Sequence, residues 1–111
     1  MGIYRQFSDS NLESHLEMLS EEQFSNCKTW QKAKAYRFHV HAPGTFLDWH
    51  PTSGKYIITV LSGELEITVT DGTKKICRPG DARFTSDQGR GHTGRVIGNQ
   101  PCVLLMVDVS E

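Results

Sequence analysis

KYIITVLSGELEITVTDGTKKIC, residues 55–77, decides the fold. Lys55 to Leu61 is rich in β-branched and aromatic residues, the composition of a strand. Leu65, Ile67 and Val69 then alternate with Glu64, Glu66 and Thr68, the period of a half-buried strand. Ser62-Gly63 turns one run directly into the next, and Asp71-Gly72 marks a tight hairpin into Thr73–Cys77.

The same punctuation extends outward from this stretch. Residues 1–35 contain one glycine and no proline, whereas residues 36–111 contain nine glycines and all four prolines. Tyr36, Phe38 and Val40 alternate with Arg37, His39 and His41, so one set fills the core and the two histidines are expected to face outward. After the turn at Pro43-Gly44, a regular strand over Thr45–His50 places Phe46, Asp48 and His50 on one face. Arg78-Pro79-Gly80-Asp81 is a further turn, and Ala82–Thr85, His92–Ile97 and Pro101–Val109 complete the strands. Seven or eight short strands separated by turns predict an all-β sandwich or barrel. Cys102–Val107 is uninterrupted apolar sequence, so both of its faces should be covered, by the N-terminal segment or by a second subunit.

The first 35 residues read differently. Ser10-Asn11-Leu12-Glu13 has the form of a capping box, and Leu12, Leu16 and Leu19 follow at helical spacing. Ser20-Glu21-Glu22-Gln23 repeats the capping pattern. The expectation is a helical or irregular segment over 1–35, docked through Phe24 and Trp30, and a β-domain over 36–111. His15 is expected on the solvated face.

Composition narrows the function. With 12 Lys and Arg against 13 Asp and Glu the formal net charge is −1, so there is no long-range pull on nucleic acid or anionic lipid. No apolar run is long enough to span a membrane, and no charged-then-apolar leader is read. The Met1-Gly2 start lacks the Ser or Thr that myristoylation needs at position 6, which is Gln6. Cys27, Cys77 and Cys102 form no C-x-x-C pair. They read as small buried hydrophobes in a reducing, cytoplasmic setting.

At this point the chain resembles the cupin superfamily, the small jelly-roll barrels also called double-stranded β-helices. The first motif of that family matches at Gly44, His50 and Gly63, but Thr52 stands where a second histidine is usual and Tyr56 where a glutamate is usual. The second motif matches at Gly80, Gly89 and His92, with one extra residue between the glycines. Val60-Leu61-Ser62-Gly63-Glu64-Leu65 and Arg78-Pro79-Gly80-Asp81 look like the inter-strand turns of the family. The resemblance covers about residues 36–109. It implies a jelly-roll β-barrel, here with a short N-terminal helical segment, in which His50 and His92 face each other.

The site expected from this resemblance has His50, His92 and Tyr56 as catalytic groups. Phe46, Asp48, Thr52, Ile58 and Phe84 are expected to line the pocket, and Arg83 and Arg95 to be solvated. The family's metal pattern implies a divalent ion (Zn, Fe, Mn or Ni) on His50 and His92 with Asp48 as a third ligand. Threonine is a poor ligand and tyrosine binds only as phenolate, so the pattern is degenerate. The leading function is binding of a small organic molecule, with proton-transfer chemistry such as isomerisation or elimination between two imidazoles. The alternatives are a metal-dependent dioxygenase or isomerase and a ligand-sensing module without catalysis. A homodimer is the expected assembly, with neither nucleic acid nor membrane as partner.

Overall fold

In the computed structural model the quoted stretch forms β5 (Tyr56–Ser62), β6 (Glu64–Val69) and β7 (Lys74–Cys77). The structure describes residues 1–25 and 28–111, without the Phe24 side chain. The expectations for Phe24 and Cys27 therefore lie outside the described residues. Among the described residues the remaining strands are β1 (Ile3–Ser8), β2 (Ser14–Met18), β3 (Ala35–His41), β4 (Phe46–His50), β8 (Ala82–Thr85), β9 (His92–Ile97) and β10 (Cys102–Asp108), with one helix, α1 (Glu21–Ser25).

The expected closed jelly-roll barrel is not formed. The strands make a six-stranded sheet, β2-β1-β8-β5-β10-β3, and a four-stranded sheet, β4-β9-β6-β7, and both are open. Closure needs a hydrogen-bonded ladder between edge strands, and the edges do not pair: β3 bonds only to β10, and β4 only to β9. The turn between them, where the Thr45 amide and hydroxyl both donate to the Ala42 carbonyl, carries the chain from one sheet to the other. Ile58, Val60 and Leu104 of the larger sheet and Leu65, Ile67, Val69 and Val96 of the smaller one form one buried cluster. Burying their side chains against each other supplies the driving force for the fold.

The N-terminal helix expected over residues 10–19 is replaced by the β1–β2 hairpin. The Asp9 carboxylate accepts the amides of Asn11 and Glu13 and closes a turn in which Leu12 adopts φ +61°. A left-handed residue at that point cannot lie inside an α-helix. Leu16 is buried but Leu12 is exposed, so the three leucines do not form a stripe. Among the described residues only α1 is helical. Its Ser20 hydroxyl accepts the Gln23 amide while the Gln23 side chain accepts the Ser20 amide, a reciprocal cap. Trp30, expected to dock, is 98% exposed.

β3 has the expected alternation with the opposite sidedness. Tyr36, Phe38 and Val40 are 72%, 62% and 60% exposed, while His39 and His41 are half-buried beside Leu104 and Cys102. Alternation determines which residues share a face. Which face meets the core depends on the neighbouring strand. The outward residues Val103, Leu105 and Val107 of β10 stand opposite Val40, Phe38 and Tyr36, and among the described residues the expected covering of that face is absent. Cys77 and Cys102 are fully buried, and burial raises both thiols above their ordinary range.

Candidate functional site: a paired-histidine cavity

β4 and β9 pair antiparallel, and the register sets His50 opposite His92. A β-bulge between Leu47 and His50 precedes the pair. The bulge reverses the sidedness expected of a regular strand, because an inserted residue re-aims the side chains that follow it. Leu47 packs near Leu65 and Ile67, Phe46 is exposed under the Arg95 guanidinium, and His50 turns toward His92. The two imidazole centroids are 4.3 Å apart.

A cavity of about 500 Å³ opens at this pair. His50, Thr52, Tyr56, Ile58 and His92 line it, so these five of the expected residues meet in one place. Three others do not. Phe46 faces away, the exposed Asp48 carboxylate accepts the Trp49 amide at 2.8 Å within the bulged part of β4, and Phe84 lies with Arg5 and Phe7 on the outer face of the larger sheet. The Tyr56 hydroxyl is 3.1 Å from the Ser53 hydroxyl. Arg37 of β3 stands at the mouth of the cavity, unpaired among the described residues.

Beneath the cavity lies a buried polar network centred on Asp87, which sequence reasoning missed. Asp87 is 0% exposed. One carboxylate oxygen accepts the Thr52 hydroxyl at 2.6 Å and the Gln6 amide at 3.0 Å; the other accepts His92 Nδ1 at 2.7 Å. The Gln6 side-chain carbonyl in turn accepts an Arg83 N–H at 2.7 Å. Arg83, expected in solvent, is 3% exposed: its charge is buried close to that of Asp87. Arg95, by contrast, is exposed as expected. The only signal for Asp87 in the sequence is its place five residues before His92, which no motif marks.

These partners assign the imidazole tautomers. Asp87 offers only acceptors, as does the Asp48 carbonyl 2.7 Å from His50 Nδ1. Each ring therefore carries its proton on Nδ1 when neutral and keeps a lone pair on Nε2. Burial pushes His92 below its ordinary pKa, outweighing the opposite pull of Asp87; Arg83 and His50 add to the lowering. Burial also works against the Asp87 carboxylate, but hydrogen bonds from His92, Thr52 and Gln6 hold it below the usual range. The arrangement fixes the His92 ring with its Nδ1 toward Asp87.

The donor set does not suit a tightly held divalent ion. His50 and His92 supply two nitrogens, the Thr52 hydroxyl is committed to Asp87, and Asp48 lies outside the cavity. Among the described residues no group of three or more His, Cys, Asp or Glu is gathered as a metal site. Two neutral imidazoles are too few for tight binding.

Of the remaining histidines, His39 and His41 lie 4.3 Å apart, centroid to centroid, and His15 is held between carboxylates rather than simply solvated. Its two nitrogens lie 2.8 Å from Asp9 and 2.7 Å from Asp71, which raise its pKa. A depressed His92 favours folding above its unfolded pKa and loses that contribution as the pH falls. A raised His15 contributes below its unfolded pKa and loses that contribution as the pH rises. Acidification from about pH 7 to about pH 5 should therefore lower the melting temperature through His92, and His15→Gln should steepen that loss in thermal melts.

Residues 37–108 match the Cupin domain family. A protein of Thermus thermophilus is similar in structure, with a TM-score of 0.55 and 26% identity over 68% of this chain and 70% of that one. A predicted oxalate decarboxylase from Thermotoga maritima is similar over 99% of this chain and 94% of that one, with a TM-score of 0.57 and 24% identity. A sugar phosphate isomerase from Silicibacter pomeroyi is similar over 68% of this chain and 50% of that one, at 19% identity and a TM-score of 0.56. No curated protein matches the chain.

Proposed function

This chain belongs to the cupin family, and from that premise we propose that it binds a small organic molecule in the cavity and moves a proton on it. His92 is the base and His50 its partner in shuttling the proton. The observation that carries this reading is the buried Asp87–His92 pair, which leaves the His92 Nε2 lone pair on the cavity side. Arg37 at the mouth favours a substrate with an anionic group, and Tyr56 supplies a hydrogen bond to it.

The chemistry is isomerisation or elimination of a small acid with an acidic C–H. It is tested by solvent-deuterium incorporation into a panel of small keto and hydroxy acids, followed by NMR. His92→Ala is expected to slow incorporation by about 10²–10⁴-fold with the fold intact by circular dichroism. Saturable binding of a panel member with no incorporation would instead support a ligand-sensing module.

The assembly we propose is a homodimer through the outer face of β3 and β10. Tyr36, Phe38, Val40, Val103, Leu105 and Val107 make this face apolar and free of charge, so a second copy is a complementary partner. Light scattering should give a dimer at micromolar concentration and a monomer for Phe38→Glu. A monomeric unaltered chain would overturn the assembly. No helix among the described residues is long and apolar enough to cross a membrane. The free thiols Cys77 and Cys102 support a reducing, cytoplasmic setting.

A further inference from the structure

His92 is delivered by the segment between β8 and β9, residues 86–91, and the N-terminal hairpin grips that segment along its length. The Ser86 amide donates to the Gln6 carbonyl at 2.9 Å. The Gln88 amide donates to the Ser8 hydroxyl at 2.7 Å, and that hydroxyl donates back to the Gln88 carbonyl at 3.1 Å. The Ser14 hydroxyl donates to the Gly91 carbonyl at 2.6 Å, and Leu12 packs against Gly89. The hairpin lies outside the region that matches the cupin family, which begins at residue 37.

Gln6 is the one contact of this set that reaches the charged groups. Arg83 can only donate, so the Gln6 side chain must turn its carbonyl toward Arg83 and its amide toward Asp87. Asp87, receiving donors from Gln6 and Thr52, is then a carboxylate, and its second oxygen is left to accept the His92 Nδ1 proton. The polarity of every bond from Arg83 to His92 follows from this order. Glutamine can do this because it carries a donor and an acceptor without a charge. Leucine has neither, and glutamate could accept from Arg83 but not donate to Asp87.

We propose that the N-terminal hairpin is a working part of the site: Gln6 is a positioning residue that locks the Asp87–His92 pair, while Ser8 and Ser14 pin the segment that carries it. The clamp stands on the hydrogen bonds themselves. Its bearing on turnover rests on the reading of His92 as the base.

The test uses the full chain, labelled with ¹⁵N, and reads the imidazole nitrogens by long-range ¹H–¹⁵N correlation and the backbone by amide exchange. Unaltered protein should show His92 in the Nδ1–H form. Gln6→Leu should mix the tautomers. It should also speed amide exchange over residues 86–92 by about tenfold, the equivalent of one lost buried hydrogen bond, while β6 amides stay protected. Gln6→Glu keeps the volume and the acceptor for Arg83, so a purely structural role predicts the unaltered pattern. The clamp predicts loss of the pure Nδ1–H form. Ser8→Ala, a milder change, should speed exchange at Gln88 if Gln6→Leu fails to fold. An unchanged His92 tautomer and unchanged exchange in the Gln6 variants would overturn the proposal. If the NMR pattern appears and no acid of the panel exchanges, the clamp stands and the catalytic reading falls.

Discussion

Asp87→Ala is expected to lower folding stability by about 3–5 kcal/mol, because it strands several buried donors at about 1–3 kcal/mol each. Asp87 is 0% exposed and its carboxylate holds three side chains at once: Gln6, Thr52 and His92. Alanine leaves all three without their acceptor. It also removes a nearby carboxylate charge from Arg83, a residue only 3% exposed. The loss comes mainly from stranding buried polar groups rather than from the net worth of the hydrogen bonds themselves. Urea denaturation at neutral pH measures it as a fall in midpoint without a change in slope. A loss below about 1 kcal/mol, the size of one ordinary hydrogen bond, would mean that Asp87 does not hold the network.

The second large effect is expected at Gly91. Its φ is +78°, and a Cβ there would overlap the His50 carbonyl and come within 2.6 Å of the Pro51 Cα. The obstacle is backbone and has no rotamer to yield. Gly91→Ala therefore has to move β4 away from β9 as well as hold a strained φ. The left-handed conformation costs about 1 kcal/mol or more and the overpacking about 1–3 kcal/mol further. Gly98→Ala is the control, since Gly98 has φ +80° with nothing near a Cβ, and it should show the strain alone. Because the displaced residue is His50, Gly91→Ala should also weaken ligand binding in the cavity. Equal stabilities for the two variants would remove the close approach as a cause.

How much of this was legible in the sequence varies with the range of the interactions involved. β5, β6 and β7 follow from local alternation and from the Ser62-Gly63 and Asp71-Gly72 turns, because side-chain period and turn conformation depend on a few neighbouring residues. The meeting of His50 with His92 was expected from the resemblance, and their register supports it. Neither Asp87 nor Gln6 was visible. Each is an ordinary polar residue until the parallel pairing of β1 with β8 brings positions about 80 apart in the chain within hydrogen-bond distance.

By itself, the sequence determined the β character and the positions of most strands after residue 36, and the family. Only the tertiary structure decided which face of β3 meets the core, that the N-terminal leucines join a hairpin, and that the two sheets stay open. It also placed a buried carboxylate behind His92. The physical reason is common to these cases. Periodicity states which side chains travel together, but the partner of a strand edge, the sign of a bulge and the acceptor for a buried donor are chosen by residues distant in the chain.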